Sequence, residues 1–180
     1  ADTIHKRGLD SEIYLWSDDN LSTDFLWRFL KKADIKRLAS YQNYGRVGCF
    51  KGFDENSFSF NTNAKPEYFK EQFLLMRRLI ESGFDVYGYV TLTSDQNKEL
   101  YSHIVDFIDR LQMEVHPLFP LRTVPQRIIE FTPTKERVRV RQQKAMDIQT
   151  EAVYIWQKEI ERRFPLDIRN KSIYEHRLIY

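Results

Sequence analysis

The sequence predicts an α/β fold: a partial (β/α) barrel-like parallel sheet with an added C-terminal helix. The central observation is a strand–helix–strand unit in residues 44–94, the building block of parallel sheets. A glycine-punctuated apolar strand covers 46–53. An amphipathic helix covers 66–82 and ends at Gly83. A second strand, 84–92, has apolar residues at both its odd and its even positions, a pattern typical of a sheet covered by helices on both faces.

The other elements of the predicted fold follow the same alternation. A short strand at 12–16 precedes a helix that Ser22 or Thr23 can cap, and 34–44 suits either a short helix or a turn. The polar stretch 54–65 is typical of a loop, and a helix is expected at 97–111. A strand is expected around Val115, before a proline-broken excursion, and a long helix at 146–163.

These elements set the expected domain organisation. Three or four strands, each followed by a helix, amount to half of an eight-stranded barrel, which needs about 250 residues, or to a small open sheet. We expect residues 1–132 to form the partial barrel core. Residues 133–180 then hold a basic segment and a C-terminal helix that packs on the core or on a partner.

Composition excludes several classes of protein. Hydrophobic residues make up 42% of the 180 residues, so the chain is expected to fold rather than stay disordered. The net charge of +2 argues against strong nonspecific binding to polyanions. No apolar run approaches the roughly 20 residues that cross a bilayer, so we expect no membrane segment. The single cysteine fits a reducing compartment, and we expect a cytoplasmic location. One cysteine, Cys49, provides neither a disulfide nor a multi-thiolate metal site.

Polar clusters at the ends of the predicted strands are the candidate site, because ligands of parallel α/β folds bind at the carboxyl ends of strands. Asp18, Asp19 and Asn20 follow the first strand and suit a ribose diol, an amine or a cation, although such residues also favour turns and caps. After the second strand, Gly52 permits close approach of a ligand. Three further polar residues follow it, which can bind a polar cofactor or satisfy local backbone groups: Asp54, Glu55 and Ser57.

Other candidates are weaker. Thr91 begins a polar cluster at the end of the third strand, where β propensity and helix capping explain it equally well. The four histidines show no metal-ligand spacing, so no metal site is predicted. The basic run from Lys135 to Lys144 is typical of a solvated face, with contact to a nucleic acid or an acidic partner as the alternative.

Together, these residues resemble part of a radical S-adenosylmethionine (radical SAM) protein. The resembling segments are the strand ending at 17–20, residues 52–58, residues 83–91 and the stretch 121–125. The resemblance implies a (β/α) barrel in which a [4Fe–4S] cluster, held by three cysteines, binds and cleaves SAM. That three-cysteine motif is absent here, and Cys49 cannot replace it.

The resemblance also implies roles for single residues. Asp18, Asp19 and Asn20 correspond to the strand end that faces the methionyl or ribose part of SAM. Asp54, Glu55 and Ser57 correspond to the end that contacts the ribose, and the backbone of Val90 and Thr91 to the strand along the adenine. The chain is then the SAM- and substrate-facing half of such an enzyme. Its cluster-binding half is then a missing N-terminal half or another chain; the alternative is a degenerate relative without radical chemistry.

Two alternatives remain at the level of sequence. A non-catalytic α/β interaction module that binds a partner protein or a nucleic acid agrees with the lone cysteine, the 14% of aromatic residues and the basic run. A metal-dependent hydrolase built on Asp18 and Asp19 is weaker, because no histidine lies at a supporting spacing.

Overall fold

The computed structural model describes residues 2–96, 98–129 and 140–178, without the side chains of residues 140–142. Four strands form one sheet in which every neighbouring pair is parallel and the spatial order equals the chain order. The strands are β1 (Leu15–Asp19), β2 (Tyr44–Phe50), β3 (Asp85–Thr91) and β4 (Thr123–Gln126). The α/β prediction of a parallel sheet with a C-terminal helix is confirmed.

Helices connect the strands and follow the last of them. Short turns of 3₁₀ helix occur at Pro66–Tyr68, Phe119–Arg122 and Ile173–Glu175, and a π-helical turn at Leu111–Val115. The α-helices are α1 (Asp2–Lys6), α2 (Phe25–Phe29), α3 (Lys32–Ala39), α4 (Glu55–Thr62), α5 (Glu71–Glu81), α6 (Leu100–Arg110), α7 (Val140–Arg163) and α8 (Leu166–Arg169).

The main core lies between one face of the sheet and helices α2 to α7. Phe50 of β2 stands at its centre, with ring centroids 5.3 Å from Phe73 and 5.7 Å from Phe107. Trp156 of α7 packs on the far side of Phe107. The helical face predicted from sequence is confirmed, since these residues are all buried: Phe69, Phe73, Met76 and Ile80.

The two faces of the sheet differ, and here the sequence expectation is wrong. Side chains alternate along a strand, and Tyr44, Phe50, Val86 and Val90 point to the helices. Val47, Cys49 and Tyr87 point the other way and form a separate small cluster. We call this second face the open face, because the α-helices pack on the other side in the described residues. Part of the C-terminal segment contacts the open face through Ile173.

Several local predictions are also corrected. The first strand begins three residues later than expected, so that Ser17, Asp18 and Asp19 belong to β1, because they pair with Arg46–Gly48 of β2. The loop expected at 54–65 contains helix α4. The strand expected around Val115 is the π-helical turn that ends α6. The strand β4 lies inside the proline-rich stretch, which was expected to be an ordered excursion rather than a helix.

Candidate functional site

The open face presents its side chains in rows across the strands. Cys49 pairs with Tyr89, and Tyr89 with Val124, so these three residues form one row. Towards the carboxyl edge, Thr91 pairs with Gln126, and Lys51 continues the alternation of β2 one step beyond Cys49. The row of Lys51, Thr91 and Gln126 is half-exposed and polar throughout, and we call it the carboxyl-edge row.

The carboxyl-edge row is the part of the open face best suited to bind a polar ligand. Its ammonium, hydroxyl and amide groups supply both hydrogen-bond donors and acceptors. Beneath it lies Cys49, whose thiol pKa is raised by burial, with Lys51 acting in the opposite direction. Lys51 and Gln126 were not among the predicted site residues. The alternation of β2 was the sequence signal for Lys51, but Gln126 could be found only once β4 had been recognised.

The three polar residues at the end of β1 have separate environments. Asp19 faces the helices, pairs with Arg46 at 2.8 Å and accepts a hydrogen bond from the backbone of Leu21. Its carboxylate is therefore occupied by structural contacts. The Asp18 side chain is exposed on the open face of the sheet, and Asn20 is exposed just beyond the strand. Of this predicted cluster, Asp18 and Asn20 are placed to meet a ligand.

The second predicted cluster is a helix cap. Asp54 is the N-cap of α4: its Oδ1 accepts from the Ser57 backbone at 2.6 Å, and the Ser57 Oγ accepts from the Asp54 backbone at 3.0 Å. This reciprocal capping box satisfies groups that a helix N-terminus leaves unpaired. Ser57 is completely buried, whereas Glu55 is exposed in the first turn. Ser57 therefore stabilises the loop and the start of α4 through hydrogen bonds within this chain, and its hydroxyl is not available to a ligand.

Asp54 has a further partner that sequence reasoning missed. Its Oδ2 lies 2.8 Å from Nδ1 of His103 in the first turn of α6, and the imidazole is about one-third exposed. The two residues are 49 positions apart, so no local pattern connects them. The contact ties the carboxyl ends of β2 and β3 together through the helices that follow them.

Val90 and Thr91 divide between the two faces of the sheet. The Val90 side chain is completely buried against the helices, and Thr91 belongs to the carboxyl-edge row. A ligand that lies along the strand could therefore contact only the backbone of Val90, and a backbone contact is the role that the resemblance implied for this residue.

The amino end of the sheet holds a second group of polar residues. Tyr14 and Tyr87 both donate to Oδ2 of Asp85 at 3.0 Å, and Arg122 lies 2.5 Å from Oδ1. Burial and the Asp85 carboxylate raise the pKa of Tyr14. These residues line a cleft of about 580 Å³, into which Tyr174 also projects. Because the carboxylate already accepts three bonds, this group braces the start of the strands.

The described residues do not fit an iron–sulfur cluster. Three cysteines are required, and the chain has the single buried Cys49. Among the described residues, no group of three or more histidine, cysteine or acidic side chains could hold a metal ion. A search of the same residues also finds no helix that is both long and apolar enough to span a membrane. The basic run predicted at 135–144 lies outside the described residues up to position 139, and Lys144 is exposed on α7.

Comparisons with known proteins identify no relative. No protein-family model matches the chain, and no match is found among curated proteins or among solved structures.

Proposed function

We propose that this chain is the SAM- and substrate-facing half of a radical SAM-type enzyme, whose [4Fe–4S]-binding half lies outside these 180 residues. The observation that carries the proposal is the carboxyl-edge row at the end of a sheet with the strand order of half a (β/α) barrel. The family assignment itself comes from the resemblance of the sequence.

The open face supports a half-barrel. Parallel sheets are normally covered on both faces, since their strands are connected by crossovers. Here Trp16 of β1 and Val124 of β4 are each 42% exposed, and in the described part of the chain these two strands are the sheet edges. Further βα units that pair with β1 and β4 would bury both side chains and turn the open face into a barrel interior.

The polar groups of the carboxyl-edge row suit the chemical groups of SAM. Lys51 offers a cation to the methionyl carboxylate, and Thr91 and Gln126 offer donors and acceptors to the ribose or adenine. Asp18 and Asn20 stand exposed at the neighbouring strand, where a carboxylate suits an amine or a diol. Asp54 and Ser57 support this edge by fixing the loop between β2 and α4, and exposed Glu55 adds a carboxylate.

The cluster chemistry belongs to the other half in this proposal. When bound, a [4Fe–4S] cluster supplies the electron for reductive SAM cleavage. The residues of this chain bind and orient SAM and the substrate at the carboxyl edge.

Calorimetric titration with SAM tests the proposal directly. We expect Lys51→Met and Thr91→Val to weaken binding about tenfold each, because each removes one hydrogen-bonding group from the ligand. Lys36→Met, an exposed lysine on α3, is the matched control and should leave the affinity unchanged. The proposal fails if SAM binds neither the isolated chain nor its complex with a cluster-bearing half.

A non-catalytic interaction module is the second candidate, and one observation favours it. Large apolar side chains are highly exposed on the isolated chain: Phe29 is 80% exposed, Ile129 81% and Met113 73%. Burial of such side chains against a partner would be favourable, because it removes apolar surface from water. Sedimentation analysis and binding assays with RNA and DNA at moderate salt test this candidate, and a monomer that binds no partner would exclude it.

A further inference from the structure

A short C-terminal segment crosses the open face, and we call residues 171–178 the strap. Ile173 of the strap packs against the small cluster formed by Val47, Cys49 and Tyr87. Tyr89 packs against the same cluster, and Trp16 and Arg122 lie against the Tyr87 ring. The strap therefore covers the apolar centre of a face that is otherwise exposed at Trp16 and Val124.

Arg122 anchors the strap to the sheet. Its Nη1 donates to the His176 carbonyl at 3.1 Å, and its Nη2 lies 2.5 Å from Asp85 Oδ1. The guanidinium carbon stands 4.0 Å from the centre of the Tyr87 ring. One buried guanidinium thus joins β3, the turn before β4 and the strap.

The attachment of the strap is slight compared with that of a helix. His176 is buried and Ile173 and Leu178 are half-buried, while the other strap residues are exposed. The turn inside the strap satisfies its own backbone, because the Ser172 N–H donates to the Glu175 carboxylate and the Glu175 N–H donates to the Ser172 carbonyl. These internal bonds can persist when the strap leaves the sheet, so undocking breaks few hydrogen bonds.

His176 is the titratable group at the point of attachment. It is 4% exposed. Burial lowers the pKa of its imidazole, and so do the charges of Arg122 and Lys171, whereas Glu175 and a hydrogen bond with the Lys171 backbone oppose them. A proton on His176 would place an additional positive charge beside a buried guanidinium whose carboxylate partner, Asp85, already accepts three bonds.

We propose that the strap is an acid-released cover: with neutral His176 it lies on the open face, and protonation of His176 detaches it and exposes the surface around Cys49. The docked state binds fewer protons than the detached state, so docking is strongest above the ordinary histidine pKa of 6.5 and weakens as the pH falls below it. This device goes beyond the proposed function and does not depend on SAM binding.

The single cysteine provides the test, because it belongs to the buried cluster on which Ile173 packs. We measure the rate at which Cys49 reacts with dithiodipyridine, divided by the rate of free glutathione at the same pH, so that thiol ionisation cancels. For the unaltered chain this ratio should rise between about pH 7.5 and about pH 5.5, by up to a few-fold, as the strap opens. Ile173→Ser should give a high ratio at both pH values.

Two further variants separate the strap from general unfolding, and circular dichroism verifies that each is folded. His176→Gln should keep the ratio low at both pH values, because its side chain does not ionise. Leu166→Ser changes an exposed residue of the same C-terminal region and should match the unaltered chain. The proposal is overturned if the rate ratio of Ile173→Ser stays low, or if the ratio of the unaltered chain does not rise on acidification. A high ratio for His176→Gln at both pH values would also overturn it.

Discussion

Asp19 and Arg46 form an ion pair of 2.8 Å between β1 and β2, and their side chains are only 10% and 6% exposed. The guanidinium also donates to the hydroxyl of Tyr44 and stacks over Phe84. Its Nε has no hydrogen-bond partner among the described residues. The pair fastens the edge strand β1 to the sheet from the helical side.

Asp19→Asn should therefore destabilise the fold, because it leaves the buried Arg46 charge without its carboxylate. We expect a loss of about 3 kcal/mol in the free energy of unfolding, as measured by urea denaturation. Asp18→Asn is the matched control: the neighbouring carboxylate is exposed on the other parity and its loss should cost less than about 0.5 kcal/mol. Equal losses in the two variants would contradict the structural role of Asp19.

Gly52→Ala should be destabilising because of its surroundings as well as its backbone. Gly52 has φ of 150°, and an added Cβ would lie 2.5 Å from the backbone nitrogen of Phe58. We expect a loss of at least about 2 kcal/mol by urea denaturation. Gly8→Ala is the control, with φ of 68° but no atom within 4 Å of the added Cβ, and should cost about 1 kcal/mol. If the Gly52→Ala protein is as stable as Gly8→Ala, the backbone of Phe58 does not crowd a side chain at position 52.

The N-cap of α4 predicts a difference between two substitutions of Asp54. Asp54→Ala removes the acceptor for the Ser57 N–H and the contact with His103, and should lower the free energy of unfolding by about 1–2 kcal/mol. Asp54→Asn keeps a good capping group and should retain most of that stability. Glu55→Ala, on the exposed side of the same turn, should change it little. Thermal or urea unfolding of the three variants distinguishes these outcomes.

Glu159 predicts an acid-dependent loss of stability. Hydrogen bonds from Arg162, Tyr101 and Arg163 lower its pKa to about 2, against the opposing effect of burial. A depressed carboxyl pKa contributes stability above the ordinary value of 4.5, and this is lost as the pH falls towards 2. The contribution is up to about 3 kcal/mol.

Replacing each of two glutamates of α7 by glutamine separates the contribution of Glu159 to the pH dependence of stability. Glu159→Gln should reduce stability at neutral pH and flatten its decline between about pH 4.5 and about pH 2.5. Glu151→Gln, an exposed position on the same helix, should keep the slope of the unaltered chain. If the two variants follow the same pH profile by urea denaturation, Glu159 is not the group responsible.

Local patterns predicted the central unit of the fold well. The periodic apolar residues between Phe69 and Ile80 gave the helix and its buried face, and the run from Phe84 gave β3. Helix α4 was missed because Asn, Ser and Thr have low helix propensity, although Asp54 followed by Ser57 was the signature of a cap. Strand β4 was missed because of Pro125, which is tolerated at the edge of a sheet.

The candidate site was predicted only in part, because pairing across strands decides which side chains are available. Asp18 and Asp19 are adjacent in sequence, yet only Asp19 meets Arg46, 27 positions later. The same holds for the capping bond of Ser57 and for the distant contact of His103 with Asp54. Carboxylates that look equivalent in a sequence become structural or available according to the face and partner that the fold assigns.

The strand order β1-β2-β3-β4 also has a consequence for how the molecule is made. Each strand pairs with the one synthesised just before it, as Tyr44 does with Leu15 and Thr123 with Gly88. No strand must wait for a distant segment before it finds a neighbour. The sheet can therefore grow one unit at a time as the chain leaves the ribosome, each new βα unit adding to an edge that is already formed.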